Sequence, residues 1–164
     1  MVPDFDLPNT FTSPTYGSLD WDATLSKMVS FLGSDSSASY EVIIGTDSEA
    51  QNGSADYVSA LIVHKMGGGG VYFWSRQTRD KIFSMKQRIW QEALMSLQIA
   101  EKLVGDFASL GLTDLNLEIH VDIGPNGPTR ELISEIVGMI RANGFKVQTK
   151  PGSWGASHVA DRHV

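Results

Sequence analysis

Two aspartates stand where a folded chain has little reason to put them. Asp47 interrupts the run VIIGTDSEA (42–50), and Asp122 interrupts a second run, LEIHVDIG (117–124). Both runs are built like buried strands, where an ionised carboxylate is costly unless it is paired or bound to a cation. Two carboxylates brought close together cannot both stay ionised cheaply, and a divalent metal between them relieves the repulsion. The chain has no cysteine, so such a metal would be held by Asp, Glu or His. That donor set points to Mg²⁺ or Mn²⁺ rather than a structural zinc. Two such ions about 3.5–4 Å apart can polarise a phosphate and activate a water for in-line attack. The plainer readings are a strand-end aspartate held locally beside Ser48, and a loop aspartate at Asp122 capping the next helix. DSEAQNG is a poor calcium loop, because its glycine falls one place late and its twelfth position is Val58.

These residues need elements to hold them. Residues 1–17 read as an irregular arm, and 18–33 as an additional helix with Ser18 as its N-cap. Three strand-like segments follow, over 40–49, 57–66 and 71–78. An Asn-Gly turn signal joins the first two, and GGGG (67–70) joins the last two. Such short joints predict an antiparallel meander. Over 81–110, Ile82, Met85, Ile89, Ala93, Leu97, Ala100, Leu103, Val104 and Phe107 recur at helical spacing. A fourth strand over 115–123, a helix over 128–142, a fifth strand over 145–149 and a last helix from SWGASHVADRHV complete the order. The pattern is α/β: a mixed five-stranded sheet, three strands in a meander and two parallel, flanked by helices in a single domain over 1–164. A helical crossover after a meander can return the fourth strand parallel to the first, which makes Asp47 and Asp122 neighbours.

The net charge of −6 argues against a general nucleic-acid coat. Yet Arg76, Arg79, Lys81, Lys86 and Arg88 fall in one window whose only acid is Asp80. That window is either a strip able to hold a phosphate backbone or a solvated helix start. GPNGPTREL, directly after Asp122, is a glycine-rich turn that could present free amides to an anion beside Thr129 and Arg130. A flexible connection is its plain alternative. His120 alternates with apolar positions and reads as a satisfied core histidine. The N-terminus lacks the basic start and apolar core of a signal peptide, and no apolar run approaches the roughly 20 residues of a membrane span. The expected location is cytoplasmic, away from membranes.

The element order, with the runs FTSPTYG, IIGTDSEA, HVDIGPNGPTREL and KPGSWGASHVADRH, resembles the bacterial YkuK-like family of the ribonuclease H-like superfamily over nearly the whole chain. The resemblance implies metal ligands from the first strand, the long helix, the fourth strand and the final helix. By position these are Asp47, Glu92, Asp122 and Asp161. Spacing alone leaves the helix acid open, since Glu101 also flanks the apolar stripe; the resemblance selects Glu92. His158, three residues before Asp161, would share its helical face as a ligand or proton shuttle. The implied activity is hydrolysis of nucleic-acid phosphodiesters (RNA, RNA/DNA hybrid or structured DNA) with Mg²⁺ or Mn²⁺. The alternative on the same fold is a non-catalytic nucleic-acid or protein binding module. A nucleotide-binding ATPase of the related actin-like kind would need a second lobe that 164 residues do not supply.

Overall fold

In the computed structural model, which describes residues 6–128 and 130–164, the apolar runs form the middle of one mixed sheet. The elements in chain order are β1 (Thr10–Ser13), β2 (Gly17–Asp20), α1 (Trp21–Leu32), β3 (Tyr40–Gln51), β4 (Ser54–Lys65), β5 (Gly70–Asp80), α2 (Met85–Ser109), β6 (Leu117–His120), α3 (Ile133–Ala142) and β7 (Lys146–Gln148). In space the strands run β2-β1-β5-β4-β3-β6-β7. The meander β3-β4-β5 is antiparallel, while β6 lies parallel to β3 and β7 parallel to β6. The β3–β4 joint turns on Asn52 and Gly53, both at positive φ (40° and 83°), the conformation that suits a tight hairpin.

The sheet has seven strands rather than the expected five. The arm expected to be irregular forms β1, and β2 takes Gly17 from that arm and 18–20 from the start of the expected helix; the two pair with each other and join β5 through Thr12 and Trp74. Burial drives this: Phe11 is fully buried against Trp21, with ring centroids 5.8 Å apart. The Ser13 hydroxyl accepts from the Thr15 N–H (3.2 Å) across the proline turn. Helix α1 consequently starts at Trp21, with Asp20 rather than Ser18 as its N-cap, accepting from the Ala23 N–H at 2.7 Å.

Helix α2 begins at Met85 instead of 81, because Lys81 takes a positive φ of 60° that a helix cannot accommodate. Ser84 is its N-cap. Its stripe buries Ile89, Ala93, Leu97, Ala100, Leu103 and Phe107, whereas Val104 is exposed. The helix expected at 128 starts at Ile133, after a 3₁₀ turn over Arg130–Leu132. The last helix is a π-type turn (Gly155–Ala160) followed by a 3₁₀ turn (Asp161–His163). Among the described residues, no helix is long and apolar enough to cross a membrane.

Side chains alternate across a strand, so β3 serves two faces. Val42 and Ile44 join the main core with Leu61, Phe73, Leu103, Phe107, Ile119 and Ile136. Ile43 joins a smaller cluster with Val58, Ala60, Ile62 and Ala160 beneath the terminal turns.

Candidate carboxylate site

In the parallel register Gly45 pairs with His120. Two residues further along each chain, Asp47 and Asp122 therefore come level on the same face. The β6–β7 ladder continues past its strand ends: the Val121 N–H bonds to the Gln148 carbonyl (2.9 Å) and the Lys150 N–H to the Ile123 carbonyl (2.8 Å). This continuation brings Lys150 to Asp122, with Nζ 3.2 Å from Oδ1. Asp47, Glu92, Asp122, Arg88 and Lys150 line one cleft of about 230 Å³. Asp161, from the far end of the chain, shares a hydrogen bond with Asp47.

Two of these acids are held well above the ordinary carboxylate range. For Asp47 the main cause is burial, followed by the Asp161 hydrogen bond, with the charge on Asp122 adding to it. Glu92 is only 5 % exposed, and burial pushes it up to about 8. The Ser48 hydroxyl opposes that rise, donating to Glu92 Oε1 at 2.5 Å. Arg88 in turn donates from Nε to Ser48 Oγ (3.1 Å) and from its terminal nitrogen to the Ser48 carbonyl (3.3 Å). Ser48 thus holds Glu92 and Arg88 from the helix-covered face, whereas Asp47 belongs to the face under the terminal turns.

Those turns can sit close because two glycines meet there. A Cβ on Gly45 would lie 2.6 Å from the Ala156 nitrogen, and a Cβ on Gly155 would lie 2.6 Å from Ile43 Cγ2. The Gly155 N–H donates to His120 Nδ1 at 3.0 Å, which leaves Nε2 to donate to Glu118 (3.2 Å). His120 is a satisfied core histidine, and burial holds its imidazole below the ordinary value. Further along, His163 stacks on Trp74 (centroids 4.5 Å apart), and Arg76 donates to the His163 carbonyl at 3.1 Å.

The structure brings Asp47, Glu92, Asp122 and Asp161 together and leaves Glu101 exposed elsewhere on α2. His158 is exposed on the terminal turns. The basic residues do not form one strip. Strand alternation sends Arg76 and Arg79 to opposite faces, Arg88 forms part of the cleft wall, and Lys86 borders a separate hollow with Glu131 and Glu135. Lys81 and Arg130 are exposed, and Thr129 lies outside the described residues. Ser48 and Lys150 were not among the residues picked from sequence. Ser48 carried one usable signal, its place beside Asp47 on the opposite face of the strand; Lys150 carried none.

An all-oxygen carboxylate set suits Mg²⁺ or Mn²⁺ in kind. Among the described residues, no three His, Asp or Glu side chains are grouped tightly enough to enclose one ion.

A mixed sheet in which β6 returns parallel beside β3, with one acid inside β3 and another just past β6, defines a known class. Residues 23–164 match the ribonuclease H-like family, and the chain belongs to it. Within that family it is 31% identical over 149 residues to YkuK of Bacillus subtilis (strain 168), described as an uncharacterised protein; the match spans 84% of this chain and 87% of that one. This agrees with the YkuK-like motifs read above. No solved structure matches the chain.

Proposed function

We propose that this protein is a divalent-metal-dependent nuclease hydrolysing nucleic-acid phosphodiester bonds. The observation that carries the reading is the convergence of Asp47, Glu92 and Asp122 on one cleft, with Asp161 bonded to Asp47. Asp47, Asp122, Asp161 and Glu92 would hold Mg²⁺ or Mn²⁺. Bound there, the metal would supply Lewis acidity toward a phosphate oxygen and lower the pKa of a water. The chain's own residues do the positioning. Ser48 fixes the Glu92 carboxyl, Arg88 fixes Ser48, and the Gly155–His120 contact seats the turns that bring Asp161. Lys150 neutralises Asp122 and can turn to a phosphate oxygen once a metal takes that role.

A second reading, a non-catalytic binding module, is favoured by one observation: Asp122 already has a cation partner in Lys150, and no tight trio of ligands stands ready.

Cleavage of labelled RNA/DNA hybrid, single strands, duplexes and a four-way junction in Mg²⁺ and Mn²⁺ decides between them. The parent should cut at least one substrate, and Asp47→Asn should cut it roughly 100-fold or more slowly, as expected when one charged transition-state stabiliser is lost. No cutting by the parent on any substrate selects the binding module. Equal cutting by parent and variant defeats the site assignment.

A further inference from the structure

Phe83 is 80 % exposed, the highest value among the exposed large apolar side chains of the described residues. A lone exposed aromatic is unremarkable on a loose loop, but this one is held firmly. Next to it Ile82 is buried, and its N–H bonds to the Gly53 carbonyl at 2.9 Å. The Phe83 N–H donates to Gln87 Oε1 (3.0 Å), and Gln87 Nε2 donates to the Lys81 carbonyl (2.9 Å). The Gln87 N–H completes the tie to Ser84 Oγ at 3.0 Å. The ring edge lies beside the Gly53 turn, 3.6 Å from where a Cβ there would stand. The fold therefore presents this ring to solvent from a tied segment.

One basic side chain adjoins it in space: Arg88 lines the same hollow as Phe83. A shallow cleft runs from Phe83 past Met85 to Arg88, and those last two residues also line the carboxylate cleft. The two depressions share a wall. A group resting on Phe83 would have its neighbouring phosphate near Arg88, at the entrance to Asp47 and Asp122.

An aromatic face beside a cationic side chain is one way proteins hold single-stranded nucleic acid, because every unpaired base offers a face to stack on. A base inside a duplex offers none. We propose that Phe83 is a stacking platform for an unpaired base, so that the carboxylate site takes single-stranded RNA or DNA. This inference rests on the nuclease reading for its direction into the cleft, but its binding test does not depend on cleavage.

The test uses the full chain, with fluorescein-labelled single strands and matching duplexes, read by anisotropy in EDTA. Single strands should bind the parent more tightly than duplexes do. Phe83→Ala should weaken single-strand binding roughly 5- to 100-fold, the loss expected for one stacked base, and Phe83→Trp should restore it. An unchanged melting temperature in both variants confirms that binding alone has changed. Equal binding by Phe83→Ala and parent overturns the platform, and so does a parent that binds duplexes as tightly as single strands. In the second arm, Mn²⁺ replaces EDTA. Duplex cleavage that ignores Phe83 overturns the platform and leaves the nuclease reading intact. Phe83-dependent binding with no cleavage of any substrate sustains the platform and defeats the nuclease reading.

Discussion

The two faces of β3 are closed in different ways. One is sealed by the 25-residue α2 and a core of large side chains such as Leu103, Phe107 and Ile119. Beneath that helix the buried Thr46 hydroxyl bonds to Ser59 at 2.9 Å and to Ser96 at 2.8 Å, so these three hydroxyls are satisfied. The other face is closed by a short terminal stretch whose small cluster centres on Ile43, Ala60, Ile62 and Ala160. The carboxylate site draws on both. Glu92 comes from the thick face, and Asp161 comes from the thin one. The difference teaches where the site is robust: the half built on α2 should survive disturbance, and the half carried by the terminal turns should fail first.

Removing bulk from the thick face should have the largest effect on stability. Leu103→Ala empties a fully buried position and should lower unfolding free energy by about 2–5 kcal/mol in urea titration. A loss below about 1 kcal/mol would show that this face is not the stabilising one. Gly45→Ala attacks the thin face by placing a methyl group against the Ala156 backbone. It should cost about 1–3 kcal/mol, yet speed amide exchange mainly over 155–163 and leave α2 protected. Uniformly faster exchange across α2 would erase the distinction between the faces.

Ser48→Ala bears on the link between the two halves. Glu92 would lose its hydroxyl donor, which should cost about 1–2 kcal/mol. Calorimetry should show weaker Mn²⁺ binding, with Ser48→Thr restoring it; unaltered Mn²⁺ affinity would mean Ser48 does not position Glu92. The smallest effect belongs to a control remote from the site. Hydrogen bonds from Ser37, then the Lys65 partner, hold Asp35 down at about 2, against an ordinary 3.8. Its folded value is depressed, so its stabilisation is present above about pH 4 and is lost as pH falls through 2. Asp35→Asn should flatten that acid limb alone, and a change in neutral-pH exchange at 155–163 would contradict its role as a remote control.

Much of this architecture could be read before any coordinates. Strands β3 to β5 announced themselves by apolar runs between turn signals, and α2 by its stripe. The hairpin of β1 and β2 did not, because Pro14 and Gly17 cut it into four-residue pieces whose pairing depends on Phe11 finding a distant core. Asp47 and Asp122 stood out as acids in apolar runs. Glu92 did not, since it lies within the buried stretch of α2, where spacing gives it no more claim than Glu101. Ser48 acquires its role only from Glu92, 44 residues away, and Lys150 only from the continued β6–β7 ladder. The basic window misled for a simple reason: nearness in sequence does not survive the alternation of a strand.

Gly45 and Gly155 carry one more consequence, and it concerns engineering. Replacing glycine with alanine is a routine way to stabilise a protein, since it narrows the unfolded ensemble. Here both positions are valuable for the atom they lack, because each lets the terminal backbone come close enough to deliver Asp161. The same close contacts make each replacement a loss of stability as well as of the approach of Asp161, so a stabilising library on this fold should leave both glycines untouched.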